Sequence, residues 1–128
     1  MYVTDTHPWL WFLSSDERLS EEAERIFDSA EKGNTTVIVP SIVVAESIYI
    51  AEKKGYSLQM KNIIEDLEIS SNYTIGPMNY SILKGITDDD RDFSIHDNII
   101  VHTAEKENHK IISRDDKIQK KAEVEVIW

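Results

Sequence analysis

Short β-branched runs alternate along this chain with stretches whose apolar residues recur every three or four positions. Residues 1–5 read as a first strand, and Pro8 suits the opening turn of a short apolar helix through Trp9, Leu10, Trp11, Phe12 and Leu13. From Ser20 onward, Ala23, Ile26, Phe27 and Ala30 share one helical face, and Gly33 ends that helix. Residues 35–39 are short and β-branched, as a buried strand requires. Pro40 closes this strand, and Ser41 is placed to cap the next helix, residues 41–55. Ser57 or Leu58 opens a further helix carrying Met60, Ile63, Ile64 and Leu67 on one face. Residues 73–76 form a weak strand, and residues 79–86 a short helix. The acidic run at 88–92 reads as a solvated loop ahead of a helix over 95–108. Residues 110–113 and 124–128 are the last strands, joined by a loop or short helix.

Buried strands alternating with helices predict an α/β fold, a mainly parallel sheet with helices on both faces. The 128 residues fit one domain, 1–128, with no repeat or linker. In such sheets ligands bind beyond the carboxyl ends of the strands. Acids at those ends are therefore the residues to weigh.

Composition narrows the chemistry. The chain has no cysteine, which excludes a disulfide scaffold, thiolate zinc sites and cysteine catalysis, and agrees with a cytoplasmic location. No apolar run reaches the roughly 18 residues of a membrane span, and the amino-terminal segment lacks the pattern of a secretory signal. Asp and Glu number 24 against 14 Lys and Arg, a formal charge of −10. Such a surface repels nucleic acid unless cations reverse the field locally. It suits a protein that gathers cations or meets a basic partner.

Four acids stand in surroundings that do not favour them. Asp5 ends the first strand, Asp115 follows the Lys-Ile-Ile-Ser strand, Asp97 begins a helix, and Glu46 interrupts Ile-Val-Val-Ala-Glu-Ser-Ile-Tyr-Ile. Each has an ordinary structural explanation. Asp5 and Asp115 can cap helices, Asp97 can favour a helix dipole, and Glu46 can occupy a wet stripe or pair with a cation. Gathered in one crevice, however, four carboxylates repel and raise one another's pKa values. A hard cation with oxygen ligands, Mg²⁺ or Mn²⁺, relieves that conflict. One or two such ions can activate water and stabilise the leaving oxygen of a phosphodiester.

At these residues the sequence resembles the PIN domain family, and most of all its VapC-type toxin ribonucleases. Thr-Asp-Thr-His-Pro-Trp-Leu-Trp-Phe-Leu is similar to the family's opening strand and helix. Residues 39–55 resemble its Glu-bearing helix, residues 93–115 its His-Asp helix with a Ser/Thr-x-Asp end, and residues 124–128 its closing strand. The resemblance covers residues 2–128 and implies a three-layer sandwich with a central, mainly parallel sheet. It implies an Mg²⁺- or Mn²⁺-dependent endoribonuclease in which Asp5, Glu46, Asp97 and Asp115 are the metal ligands and catalytic acids. Thr6 and Ser113 would then orient carboxylates or water. Asp116 competes with Asp115 but lacks its spacing from Ser113, and an acid within 88–92 could supply an extra ligand.

The same resemblance implies an RNA substrate, a homodimer, and a VapB-like antitoxin that places a basic segment in the groove. Residues 9–13 and 48–51 are candidate dimer surfaces, with Trp9, Trp11 and Phe12 read as core or dimer face. Arg114, Lys117, Lys120, Lys121, Lys53 and Lys54 are candidate cations for the RNA backbone. His7, His96, His102 and His109 carry no assigned role. The competing readings are a PIN nuclease of RNA processing, a binding-only PIN module, and a receiver domain. The last needs a phospho-accepting Asp after a middle strand, and residues 35–41 contain none.

Overall fold

The computed structural model describes residues 1–128. The elements are β1 (Tyr2–Thr4), α1 (Thr6–Leu13), α2 (Glu21–Glu31), β2 (Val37–Pro40), α3 (Ser41–Lys53) and α4 (Met60–Ile69). There follow β3 (Tyr73–Gly76), α5 (Tyr80–Thr87), α6 (Ile95–Lys106), β4 (Lys110–Ile112), α7 (Asp116–Lys121) and β5 (Val126–Ile127). The five strands form one sheet in the order β3-β2-β1-β4-β5, every pair parallel.

Strand placement runs from β1 outward through β2 and β3, then resumes on the other side with β4 and β5. The carboxyl ends of β1 and β4 therefore flank the switch point, where a crevice opens in this class of sheet. Helix α6 packs against β1, β2 and β4, and α3 packs against α1 and α6. Val3, Val37, Val39, Ile111 and Ile112 are wholly buried in the strands, and Trp9, Phe27 and Ile100 meet them from the helices.

Local chemistry sets the helix starts. Ser20, Asn79 and Ser94 cap α2, α5 and α6 by accepting backbone N–H bonds. Two expected starts differ. Pro40 is both the last strand residue and the cap position of α3, so Ser41 lies inside the helix and caps nothing. Helix α4 begins at Met60 rather than at residue 57 or 58, again without a side-chain cap.

The acidic run is not simply a solvated loop. Asp89 has a side chain only 3% exposed. Its carboxylate binds Arg91 at 2.6 Å and His102 at 2.6 Å, and Arg91 also binds Glu105 at 2.8 Å. Glu105 accepts the Glu123 N–H, so this network ties the run to α6 and to the approach to β5. The apolar segment of α1 is likewise not a free surface. Trp9, Leu10 and Trp11 are buried within the chain, and Phe12 stacks on Phe27 at 4.8 Å.

Candidate active site

The β1–α1 junction delivers Asp5, and the β4–α7 junction delivers Asp115. The first turn of α6 delivers Asp97, and the middle of α3 delivers Glu46. All four line one open pocket of about 530 Å³ at the switch point of the sheet. Asp116 is exposed and lies outside it, as does every residue of 88–92.

Two of the acids are also helix caps, so the structural and the chemical explanation hold for them at once. Asp5 Oδ1 accepts the Thr6 N–H at 2.7 Å, and Asp115 Oδ1 accepts the Ile118 N–H at 2.9 Å. Capping uses one oxygen of each. The Ser113 hydroxyl donates to the other Asp5 oxygen, Oδ2, at 2.7 Å and accepts the Asp115 N–H at 3.0 Å. Thr6 lies beside Asp5 in sequence, yet its hydroxyl donates to Glu46 Oε1 at 2.6 Å. Thr6 and Ser113 are themselves buried, so their hydroxyls must find partners, and these carboxylates are the partners.

The pocket is crowded with negative charge. Burial raises the Asp5 pKa, against the lowering effect of the Ser113 and Thr6 hydrogen bonds. Burial also raises Asp97, and the charges of Asp115 and Asp5 add to the rise. No Lys or Arg forms an ion pair with any of the four acids; His96 Nε2 lies 3.7 Å from Glu46 Oε2, and His7 acts to lower the Asp5 pKa.

Uncompensated, oxygen-only donors of this kind fit a hard divalent cation such as Mg²⁺ or Mn²⁺. As placed, no three Asp, Glu or His side chains converge into a ready-made cage. The four carboxylates are thus gathered in one pocket but not closed on one point.

Sequence patterns do not reveal the rest of the wall. His7, His96, Trp11 and Arg18 all line the pocket. The Arg18 and Arg114 guanidinium groups lie 4.9 and 5.7 Å from the centre of the Trp11 ring, within cation–π range. Arg18 is held by Asp16 at 2.8 Å, whereas Arg114 is exposed and has no acidic partner. Lys117 and Lys121 reach back to the Asp92 and Arg91 carbonyls, and so turn toward the 88–92 run. Nothing local in the sequence marks Arg18, because only the fold brings the loop after α1 to the carboxylates.

With this arrangement established, comparison with known proteins identifies its class. The PIN domain profile matches residues 2–124, and the chain belongs to the PIN domain family. No curated protein sequence matches it significantly. Among solved structures it is similar to VapC20 of Mycobacterium tuberculosis, described as a sarcin–ricin loop cleaving toxin. The TM-score is 0.69 at 15% identity, over 95% of this chain and 96% of that one. It is also similar to VapBC2 of Rickettsia felis bound to a promoter DNA fragment, with TM-score 0.66, 18% identity, and coverage of 98% and 96%. FitAcB from Neisseria gonorrhoeae gives TM-score 0.57 at 19% identity, covering 100% and 97%. At these identities the shared property is the fold. No helix is long and apolar enough to cross a membrane.

Proposed function

We propose that this protein is a metal-dependent endoribonuclease of the VapC toxin type, hydrolysing RNA phosphodiester bonds. One observation carries the reading: Asp5, Glu46, Asp97 and Asp115 reach a single pocket from four separate elements, and no Lys or Arg forms an ion pair with any of them. Membership of the PIN family and similarity to a toxin described as sarcin–ricin loop cleaving support it.

The four carboxylates would hold Mg²⁺ or Mn²⁺, which when bound supplies an acidified water and neutralises charge on the departing oxygen. The chain's own groups do the remaining work. Ser113 and Thr6 fix one oxygen each of Asp5 and Glu46, limiting how these ligands turn. Arg114, free of an acidic partner, offers a planar donor to a phosphate at the pocket wall. The chain has no cysteine, so no thiolate nucleophile is part of this chemistry.

By the same reading the protein pairs with a VapB-like antitoxin. A basic side chain entering this pocket would meet the unpaired acids that a metal would otherwise satisfy. A homodimer is part of the proposal. Its contact would use the exposed Ile48 of α3 rather than the buried apolar segment of α1.

The test is cleavage of a total-RNA pool by purified protein, with Mn²⁺, with EDTA, and by Asp5→Asn in Mn²⁺. Discrete fragments from the wild type with metal alone are the expected result. Cleavage that persists in EDTA or in Asp5→Asn would overturn the assignment of this site.

A further inference from the structure

We infer that the hollow beside the carboxylate pocket, walled by Tyr49, Lys53 and Lys54 of α3 and its C-terminal cap, is a subsite for the substrate strand. It would hold an unpaired base against Tyr49 and a backbone phosphate at the lysines. This inference rests on the endoribonuclease reading and adds the binding determinants next to the cut.

The two cavities adjoin. The hollow is about 400 Å³ and shares Glu46 and His96 with the carboxylate pocket. Residues 42, 45, 46, 49, 50 and 53 recur at helical spacing, so they form one stripe of α3. That stripe runs from a candidate metal ligand to the lysines over about 10 Å of helix axis.

Ile42 packs on the core and Glu46 is bound by Thr6, but Tyr49, Lys53 and Lys54 are unused by the fold. Tyr49 is 76% exposed, its ring free for stacking. Base stacking on an aromatic ring tolerates any base, but requires that the base be unpaired. Lys53 and Lys54 make no ion pair, although acids outnumber bases by ten on this chain. Lys53 stands in the last turn of α3, where a cation also favours the helix dipole; that role leaves its ammonium group in solvent.

Charge distribution favours a polyanion as occupant. An acidic protein that acts on RNA needs cations close to its acids, on the path of the backbone. Arg114 supplies one beside Trp11, and the lysines supply the others across Glu46 and His96. The carboxylates are thereby bracketed on two sides by unpaired cations. A contact between two copies through this hollow would use the same lysines with only Glu46 to offset them, which makes it the poorer occupant.

Binding can be separated from cleavage. A labelled octanucleotide of uridylate is titrated against the full chain with Ca²⁺ in place of Mg²⁺, its integrity checked on a gel. Tyr49→Ala is expected to weaken binding roughly tenfold, and Tyr49→Phe to keep it, because stacking needs the ring and not the hydroxyl. The double variant Lys53→Gln, Lys54→Gln should lower the slope of log K against log salt by about 0.7 for each phosphate it no longer neutralises. In cleavage assays both changes should raise KM and leave kcat within about twofold.

Unchanged affinity and slope in both variants would overturn the subsite. So would a Tyr49→Ala protein whose sedimentation shifts from dimer to monomer while its RNA affinity stays, since the face would then join two copies. A wild type that binds as described but never cleaves with Mn²⁺ would defeat the nuclease reading and leave the subsite standing.

Discussion

The Ser113 hydroxyl donates to Oδ2 of Asp5 at 2.7 Å, joining residues 108 positions apart in sequence. The Ser113 oxygen in turn accepts the Asp115 N–H at 3.0 Å. One buried hydroxyl therefore sets both acids that flank the switch point, one at the end of β1 and the other after β4. Thr6 does the corresponding work for Glu46. The hydroxyls transmit the register of the parallel strands into the placement of the carboxylates.

Removing either hydroxyl should loosen a ligand without unfolding the chain. For Ser113→Ala and for Thr6→Val we expect Mn²⁺ affinity to fall about 10- to 100-fold, with comparable loss of cleavage at low metal. Thr6→Ser should keep most of the wild-type affinity, because it keeps the donor. Metal titration followed by calorimetry checks this, with far-UV circular dichroism as the control for folding. Wild-type affinity in Ser113→Ala would mean that the serine does not set Asp5.

On the proposed reading, Asp97 sets folding and function against one another. Burial first, then the charges of Asp115 and Asp5, raise its pKa. The folded chain keeps this proton at a pH where the unfolded chain has lost it. Stability contributed by this group therefore falls as pH rises from the ordinary carboxylate value through the raised one. Asp97→Asn should abolish cleavage and yet raise the Tm of the metal-free protein at pH 7. The rise should be small, on the order of 2–3 °C, because water screens a half-exposed group. It should vanish in acid, where the wild-type residue is protonated. Thermal melts in EDTA at pH 4 and pH 7 test the sign, and a lower Tm at pH 7 would contradict it.

The Asp89 network has the opposite pH signature. The Arg91 guanidinium holds Asp89 well below the usual carboxylate range. Burial pushes Glu105 up, but Arg91 and the Glu123 N–H outweigh it and the net shift is down. These acids contribute stability above their unfolded pKa values, and lose it as pH falls through the lowered ones. Arg91→Met would leave Asp89 with His102 as its one remaining partner and should lower stability. Adding Asp89→Asn should recover part of that loss. Urea midpoints of the single and double variants measure the recovery, and strict additivity would show that the two side chains do not interact.

Legibility in the sequence follows the range of the forces involved. Apolar periodicity exposes the strands and helices, because each must bury one face locally. Glu46 is conspicuous because its helix neighbours Val43 and Val44 are buried while it faces the pocket. Asp89 is not, because its own neighbours are all charged. Its distant partner His102 is 13 positions away, and Glu105, which holds Arg91 against it, is 14 positions from that arginine; both reach the run only through α6. Ser41 misleads for a local reason: Pro40 already occupies the extended cap position, with ψ of 145°. The wall formed by Trp11 and Arg18 requires the tertiary fold, since neither residue has spacing that marks it.

Metal binding should be visible as stability even without turnover. A ligand that binds only the folded chain adds about 2.7 kcal/mol when present at a hundred times its Kd. Saturating Mn²⁺ should therefore raise the wild-type Tm by several degrees, with EDTA reversing the gain. Asp5→Asn keeps an oxygen to cap α1 and a polar atom opposite Ser113, so its fold should survive. It removes a charge at the centre of the carboxylate group, and its Tm should hardly respond to Mn²⁺. The comparison tests the site apart from any RNA target, which an assay of cleavage cannot do. An equal Mn²⁺ response in Asp5→Asn and wild type would place the bound ion elsewhere and remove Asp5 from the ligand set.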